Sequence, residues 1–326
     1  PPIDARLEPA TADGVAPDDF YSTTIYLTEI RAAGNWLRVT GQRMDVMIVV
    51  ENETARCVLM RDLQKGDAVV CGRDGILAHT PELEAGDSDF AFMTGGVSSE
   101  RRVERAIDEL AWEMRRLRAS GSRIALVAGP VVVHTGGAPH LARLIEAGYV
   151  QALLTGNALP AHDIEYSMFG TSLGVDLARG RPVPHGHQHH LRAINRVRAA
   201  GSIANAVDQG LFTSGIMHAC VKNKVDYVLA GSIRDDGPLP DTHFDLAKAQ
   251  SEYARAIEGA GMILMLGTML HAIGTGNMVA AGVRLICVDI NPAVVTKLAD
   301  RGSIESTGIV TDVGLFLNLL AARLED

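Results

Sequence analysis

MILMLGT at residues 262–268 and RLICVDI at residues 284–290 are two short apolar runs, each ending in small or polar residues. Runs of this length, rich in Ile, Leu and Val, are typical of strands buried on both faces of a parallel sheet. Gly267 and Asp289 lie near the ends of the two runs. Because ligands of such sheets bind at the carboxyl ends of the strands, this pair predicts a ligand site.

The same alternation extends over most of the chain that follows Arg123. Apolar runs are separated by amphipathic stretches such as PHLARLIEAG (139–148). The other apolar runs are RIALVAG (123–129), VQALLTGN (150–157), VDYVLAGS (225–232) and GIVTDV (308–313). Buried strands that alternate with helices predict an α/β fold with a doubly wound, mostly parallel sheet.

The first part of the chain has a different pattern. From Phe20 to about His79, apolar and polar residues alternate with a period of two, as in FYSTTIYLTEI (20–30) and NWLRVT (35–40). This pattern predicts short strands. We therefore expect a small, mostly β domain over residues 1–97 and a Rossmann-like domain over residues 98–326.

Composition excludes several classes of function. The net charge of −9 and the aromatic content of 5% argue against a nucleic-acid partner. No apolar run reaches about 18 residues, so no membrane span is expected. The four cysteines form no CxxC pair, which argues against a zinc ribbon or sirtuin-like module. We expect reduced thiols and a cytoplasmic location.

Loops suited to phosphate or ribose groups follow four of the predicted strands, and the first three contain glycine. They are His134–Gly137, Gly156-Asn157, Gly267-Thr268 with Gly274–Asn277, and Asp289–Pro292. Glycine lets backbone N–H groups approach a phosphate, and a following helix adds its dipole. Asp289 lies 22 residues after Gly267, the spacing of a ribose-binding acid, and its charge favours NAD over NADP. The chain has no complete G-x-G-x-x-G motif.

Polar residues near other strand ends are candidates for chemistry. Asp235 and Asp236, beside Arg234, could hold an amine or activate water, and the alternative is an ordinary Asp-Gly turn. Lys222 could bind a carboxylate, and the alternative is a favourable charge at a helix C-terminus.

Asp163 and Glu165 could face a substrate, although Asp163 would also suit a helix N-cap. The stretch His185–His190 looks like a metal motif but has no carboxylate nearby in the sequence. We expect a solvated or nucleotide-adjacent loop there and no bound metal.

Together these motifs resemble the LOR/SDH-type family, which includes the archaeal-type ornithine cyclodeaminases. The chain is also similar to the C-terminal half of bifunctional arginine dihydrolase/ornithine cyclodeaminases. The stretches that carry the resemblance include ADGVAPDDFYSTT (12–24), FMTGGVSSE (92–100), GPVVVHTGGAPHL (129–141), GTSLGVD (170–176), LAGSIRDDGPLP (229–240) and DINPAVVTKLADRGS (289–303).

The resemblance implies a deoxyhypusine-synthase-like nucleotide-binding fold, tightly bound NAD and a small amino-acid substrate. It also implies conversion of L-ornithine to L-proline and ammonia, a homo-oligomer (dimer or tetramer) and further sequence before Pro1. The expected cofactor residues are His134, Thr135, Gly136, Gly137, Gly156, Asn157, Thr268, Met269, His271, Gly276, Asn277, Asp289, Asn291, Thr311 and Asp312.

The expected catalytic residues are Asp163, Glu165, Lys222, Asp235 and Asp236, with Arg234, Asp45 and Tyr21 as substrate contacts. Asp235 or Asp236 would take the proton of the substrate ammonium, and Lys222 or Arg234 would hold its carboxylate. Two other readings stay open: an NAD-dependent dehydrogenase of another diamino acid, and a nucleotide sensor without turnover.

Overall fold

The computed structural model describes residues 3–80, 99–176, 180–183, 186–235, 238–299 and 306–325. The chain divides into two units. The first comprises Pro1–Ser88 and Gly276–Gly282, and the second comprises Asp89–Thr275 and Val283–Asp326. The boundary expected at residue 97 lies outside the described residues. Residues 276–282, expected within the Rossmann-like domain, belong to the first unit.

The first unit is mostly β, as expected. Its strands are β1 (Arg6–Pro9), β2 (Thr28–Ala32), β3 (Asn35–Thr40), β4 (Met47–Glu51), β5 (Thr54–Val58), β6 (Ala68–Cys71) and β7 (Ile76–Ala78). They form one mixed sheet in the order β1-β6-β4-β5-β3-β2-β7. Ile48 and Val70 pack in one apolar cluster, and Val49 and Val69 pack in another. Both faces of the sheet are therefore covered, as the period of two requires.

The second unit contains the remaining elements. Its helices are α1 (Ser99–Ala119), α2 (Val131–His134), α3 (Ala138–Glu146), α4 (Ala158–Phe169), α5 (His189–Ala200), α6 (Ile203–Asp208), α7 (Ile216–Lys222), α8 (Leu246–Ala256), α9 (Met269–Gly276), α10 (Pro292–Ala299) and α11 (Val313–Leu324). Its main strands are β8 (Arg123–Ala128), β9 (Ala152–Gly156), β13 (Asp226–Ala230), β14 (Thr242–His243), β15 (Ala260–Leu266), β16 (Arg284–Asp289) and β17 (Ser306–Val310), and β10 (Thr171–Ser172), β11 (Val175–Asp176) and β12 (Arg181–Pro182) form a small separate sheet.

The main sheet is parallel and doubly wound, which confirms the expected fold class. Its strand order is β14-β13-β9-β8-β15-β16-β17, and all six apolar runs of the sequence are strands in it. The chain builds outward from β8 in one direction and then returns to add β15 on its other side. The order therefore reverses between β8 and β15, and ligands of doubly wound sheets bind at such a point.

Side chains of the central strands alternate between the two faces. Ile124 and Leu126 join a large apolar cluster with residues of α1, α3, α7 and α11, among them the fully buried Phe316. Ala125 and Val127 are buried too and, by the alternation of a strand, point to the opposite face. In the described ranges, no helix is both long and apolar enough to cross a bilayer. The four cysteines are free thiols.

The reversal point is held together by a close approach of two backbones. A Cβ atom on Gly129 would overlap the carbonyl oxygen of Gly267. Gly267 itself has φ +56°, and a Cβ atom there would overlap the side chain of Val131. Glycine is needed at both positions because neither leaves room for a methyl group.

We expect Gly129→Ala to lower the free energy of unfolding by about 1–3 kcal/mol, since a backbone oxygen cannot move aside cheaply. Gly274→Ala is the matched control. Gly274 lies inside α9 with nothing within 4 Å of the added methyl group, so this change should be neutral or stabilising by up to about 1 kcal/mol. Urea unfolding of both variants measures the difference, and equal stabilities would contradict the packing argument.

Candidate functional site

The carboxyl ends of β15 and β16 bring a glycine turn beside an acidic residue. Leu266 pairs with Val288 in the parallel ladder, and the N–H of Gly267 donates to the carbonyl of Val288 at 2.9 Å. Asp289 follows directly, and its Oδ1 accepts the N–H of Asn291 at 2.8 Å. A glycine turn on one strand and a carboxylate at the end of the next are the features of a dinucleotide site.

The side chain of Asn291 accepts a hydrogen bond at the start of α10. Its Oδ1 accepts the N–H of Ala293 at 3.0 Å. The N–H of Thr311, at the end of β17, donates to the carbonyl of Asp289 at 3.2 Å. Asp312 caps α11 through the N–H of Leu315 at 2.8 Å. Thr311 therefore lies beside Asp289, whereas the Asp312 carboxylate is occupied by its helix.

His271 of α9 crosses toward the end of β9. Its Nδ1 lies 3.1 Å from the hydroxyl of Thr268, and its Cε1 would lie 3.1 Å from a Cβ atom on Gly156. Burial lowers the pKa of His271, and the nearby Asp235 opposes this effect. The ring is therefore favoured in its neutral form near pH 7, able to accept a proton.

Asn157 connects the end of β9 to the loop after β13. Its side-chain N–H donates to Asp235 at 3.4 Å, and its Oδ1 accepts the N–H of Leu239 at 3.0 Å and the hydroxyl of Thr242 at 3.3 Å. The N–H of Ser232 donates to the other oxygen of Asp235 at 2.7 Å. These contacts fix the Asp235 carboxyl group at the carboxyl edge of the sheet.

The segment after β8 contains the short helix α2, and its last residue, His134, contacts a second histidine. The Thr135 hydroxyl donates to a carbonyl within α2 at 2.8 Å, and Gly137 packs where a Cβ atom would lie 2.8 Å from Leu317. His134 meets His162 edge-on, with ring centroids 4.9 Å apart. Burial, followed by His162, lowers the pKa of His134 against the opposing charge of Glu165.

Asp163 is fully buried and joins two helices. Its carboxyl oxygens accept the N–H groups of Ile216 and Met217, at 2.9 and 2.8 Å, at the start of α7. Burial raises the pKa of Asp163 to about 6, and the two N–H donors oppose this. The capping alternative describes these contacts, although the capped helix is α7 and not α4.

Glu165 is also buried, and its carboxylate is held by several donors. Its oxygens accept the Thr171 hydroxyl at 2.9 Å and the N–H groups of Leu173 and Gly174 at 3.0 and 2.9 Å. Burial alone would raise its pKa, but His162, His190 and these donors keep the pKa of Glu165 well below its usual value. The group is therefore a buried anion.

Lys222 lies apart from these residues. It closes α7 immediately before β13 begins, so it belongs to the amino edge of the parallel sheet. Its Nζ lies 3.9 Å from Asp208, and both side chains are largely exposed. The geometry favours the alternative of a helix C-terminal charge.

No contact of the remaining expected residues with a ligand site is described. Arg234 is exposed, and Asp236 lies outside the described residues. Gly276 and Asn277 belong to the first unit, where the carbonyl of Asn277 accepts the N–H of Met44 at 3.3 Å. Tyr21 and Asp45 are in the same unit. Their assignments to cofactor and substrate remain predictions.

His190 and Glu165 form a grouping that the sequence does not predict. His190 lies 3.7 Å from Glu165, which supplies the carboxylate that the sequence around His185–His190 lacks. His185 itself lies outside the described residues. Glu165 and His190 are 25 positions apart, and the small sheet β10–β12 lies between them in the chain. No local sequence pattern therefore predicts that they are close together.

Comparison with known proteins gives consistent matches. Residues 108–320 match the family described as arginine dihydrolase ArgZ-like, C-terminal, Rossmann fold, and residues 27–107 match its first region. The bifunctional arginine dihydrolase/ornithine cyclodeaminase AgrE of Nostoc sp. PCC 7120 is 58% identical over 99% of this chain. The chain spans about half of that protein, 47% of its length.

Two further relatives are matched over more of their length. The ornithine cyclodeaminase of Methanothermobacter thermautotrophicus is 52% identical, over 99% of this chain and 79% of the relative. A crystal structure described as a conserved putative LOR/SDH protein from Methanococcus maripaludis S2 has a TM-score of 0.92 and 46% identity, and covers 99% of this chain and 98% of that chain.

A crystal structure of AgrE is described as its ternary complex with ornithine and NAD+. It is 56% identical to this chain, with a TM-score of 0.68, and covers 99% of this chain and 46% of that one.

Proposed function

Because the chain belongs to the ArgZ-like C-terminal family, we propose that it converts L-ornithine into L-proline and ammonia with NAD as its cofactor. One observation carries the proposal. Gly267 and Asp289 lie at the same level on neighbouring strands, while Asn157, Asp235 and His271 meet at strand ends on the other side of β8. A nucleotide-type half thus adjoins a proton-accepting half along one edge of the sheet.

The residues of the β15–α9–β16 unit suit NAD. The turn at Gly267-Thr268 is followed by α9, whose N-terminus would offer its backbone N–H groups and its dipole to a pyrophosphate. The Asp289 carboxylate would accept hydrogen bonds from ribose hydroxyls, and it would repel the 2′-phosphate of NADP. This supports the expectation of NAD that the sequence alone suggested.

The proposed reaction is balanced without an external oxidant or reductant. A bond forms between the side-chain nitrogen of ornithine and its α-carbon, the α-carbon releases its own nitrogen as ammonia, and proline remains. When bound, NAD would supply a reversible two-electron acceptor at the α-carbon. The chain must hold the two reacting atoms together, which lowers the entropic cost of closing the ring.

Asp235 is our candidate for binding and deprotonating a substrate ammonium group. Ser232 and Asn157 fix its carboxyl group, so it is oriented before a substrate arrives. His271, whose pKa is lowered by burial and raised by the nearby Asp235, is our second candidate for a proton acceptor. Glu165 is held by three donors and is buried, and we assign it no proton transfer in this scheme.

With L-ornithine and NAD+, the purified protein should release ammonia and proline in equal amounts with no net NADH. Amino-acid analysis and absorbance of reduced nicotinamide measure the three products. Ammonia accompanied by stoichiometric NADH would instead indicate a dehydrogenase. NAD binding without turnover on any diamino acid would indicate a sensor.

Asp289→Asn should weaken NAD binding by about tenfold or more, since a charge-assisted hydrogen bond to ribose is worth roughly 1.5–3 kcal/mol. Asp245→Asn is the matched control. Asp245 caps α8 through its Oδ1, and asparagine keeps that cap. Calorimetric titration with NAD+ gives both dissociation constants. An unchanged affinity in Asp289→Asn would place the ribose elsewhere.

Asp235→Asn should lower kcat by about a hundredfold or more, because the amide cannot take a proton, while NAD affinity is unchanged. Asp208→Asn, which removes only the exposed partner of Lys222, serves as the control and should keep the wild-type kcat. Steady-state ammonia release measures both variants. A wild-type kcat in Asp235→Asn would exclude the proposed role.

A further inference from the structure

Two histidines and a glutamate form a cluster that the proposed reaction does not use. His162 and Glu165 come from adjacent turns of α4, and His190 comes from the first turn of α5. We call these three residues the His–Glu cluster. Their candidate ligand atoms all lie within 4.8 Å of one another. The elements around α4 thus bring three potential donors to one point.

The buried Nδ1 atoms of the two histidines in the His–Glu cluster have no hydrogen-bond partner among the described residues. The Nδ1 atoms of His162 and His190 lie 3.6 and 3.7 Å from the same oxygen of Glu165, too far for a hydrogen bond. His162 is only 6% exposed, so water does not easily replace that partner. Unsatisfied buried nitrogens of this kind are costly unless something else binds them.

The distances suit a small cation between the three atoms. Imidazole nitrogens and carboxylate oxygens bind Zn²⁺ at about 2.0–2.2 Å, which separates neighbouring tetrahedral ligands by about 3.3–3.5 Å. The two nitrogen-to-oxygen separations here exceed that range only slightly. All three ligand atoms lie within 4.8 Å of one another, so both rings would move inward when an ion binds.

The glutamate is oriented in the way that metal ligands usually are. One oxygen accepts the Thr171 hydroxyl and the N–H of Gly174, and the other accepts the N–H of Leu173 and faces the two histidines. Such outer hydrogen bonds fix a ligand carboxylate and preserve its charge. The facing oxygen retains one lone pair for a cation.

We propose that the His–Glu cluster binds one divalent transition-metal ion, with Zn²⁺ as the expected occupant. Two imidazoles and one carboxylate form the donor set of zinc sites that keep a fourth position open. Imidazole also suits Cu²⁺, Ni²⁺ and Fe²⁺, whereas an all-oxygen set would suit Mg²⁺ or Ca²⁺. The ion would tie the start of α5 to α4. The proposal does not depend on the proposed function.

The test uses the full chain after dialysis against EDTA. Titration with Zn²⁺ in a calorimeter should show one tight site per chain, and Co²⁺ should give the intense visible absorption of a tetrahedral complex. Zn²⁺ should also raise the melting temperature. These readouts do not involve turnover, so they stand whether or not the cyclodeaminase proposal holds.

Variants identify the ligands. His190→Ala should weaken Zn²⁺ binding by more than about tenfold and abolish the visible Co²⁺ band. His140→Ala is the control, since His140 contacts Arg143 on α3, and it should bind like the wild type. Circular dichroism verifies that each variant is folded. If His190→Ala does not fold, the single tight site and the tetrahedral Co²⁺ band of the wild type carry the test.

Two results would overturn the proposal. One is a wild-type chain with no tight site for Zn²⁺ or Co²⁺, which would leave the His–Glu cluster as a buried arrangement of two rings around a carboxylate. The other is an equal affinity in a folded His190→Ala variant, which would mean that other histidines of the chain bind the ion.

Discussion

The contact between the backbones of Gly129 and Gly267 is the constraint from which the arrangement of the second unit follows. It joins the ends of β8 and β15, the two strands between which the order of the sheet reverses. Because every strand of the central part runs in the same direction, all the loops that follow these strands emerge at one edge. A bulkier residue at either position would separate the two halves of that edge.

Charge at this edge is positioned mainly by main-chain donors. Asp235 is held by an N–H group of its own loop, Asp289 by that of Asn291, and Glu165 by two. Backbone N–H groups stabilise carboxylates without adding a competing positive charge. The negative charge of these carboxylates is therefore retained without a paired cation at Asp235 and Asp289 among the contacts described.

Local sequence patterns were sufficient for the strands of the parallel sheet and for the position of Asp289 at a strand end. Short runs of apolar residues are enough to predict buried strands. Asp289 follows such a run directly, so its position at the end of a strand could be predicted. Lys222 shows the limit: a position near a strand does not reveal at which edge of the sheet it lies. Glu165 and His190 show a second limit. These two residues come close together only through the fold of the segment between them, which local sequence patterns do not predict. Asn277 belongs to the first unit, and no periodic pattern of apolar residues in the sequence predicts this.

The segment Gly276–Gly282 has a consequence for how the polypeptide matures. Ala281 donates its N–H to Ile25 at 2.8 Å, and Asn277 accepts that of Met44, so the β-rich unit includes residues synthesised about two hundred positions later. That unit cannot be completed while its own stretch of chain is leaving the ribosome. It must wait until most of the parallel sheet, from β8 to β15, has been translated, and β16, α10, β17 and α11 of the second unit are synthesised after it.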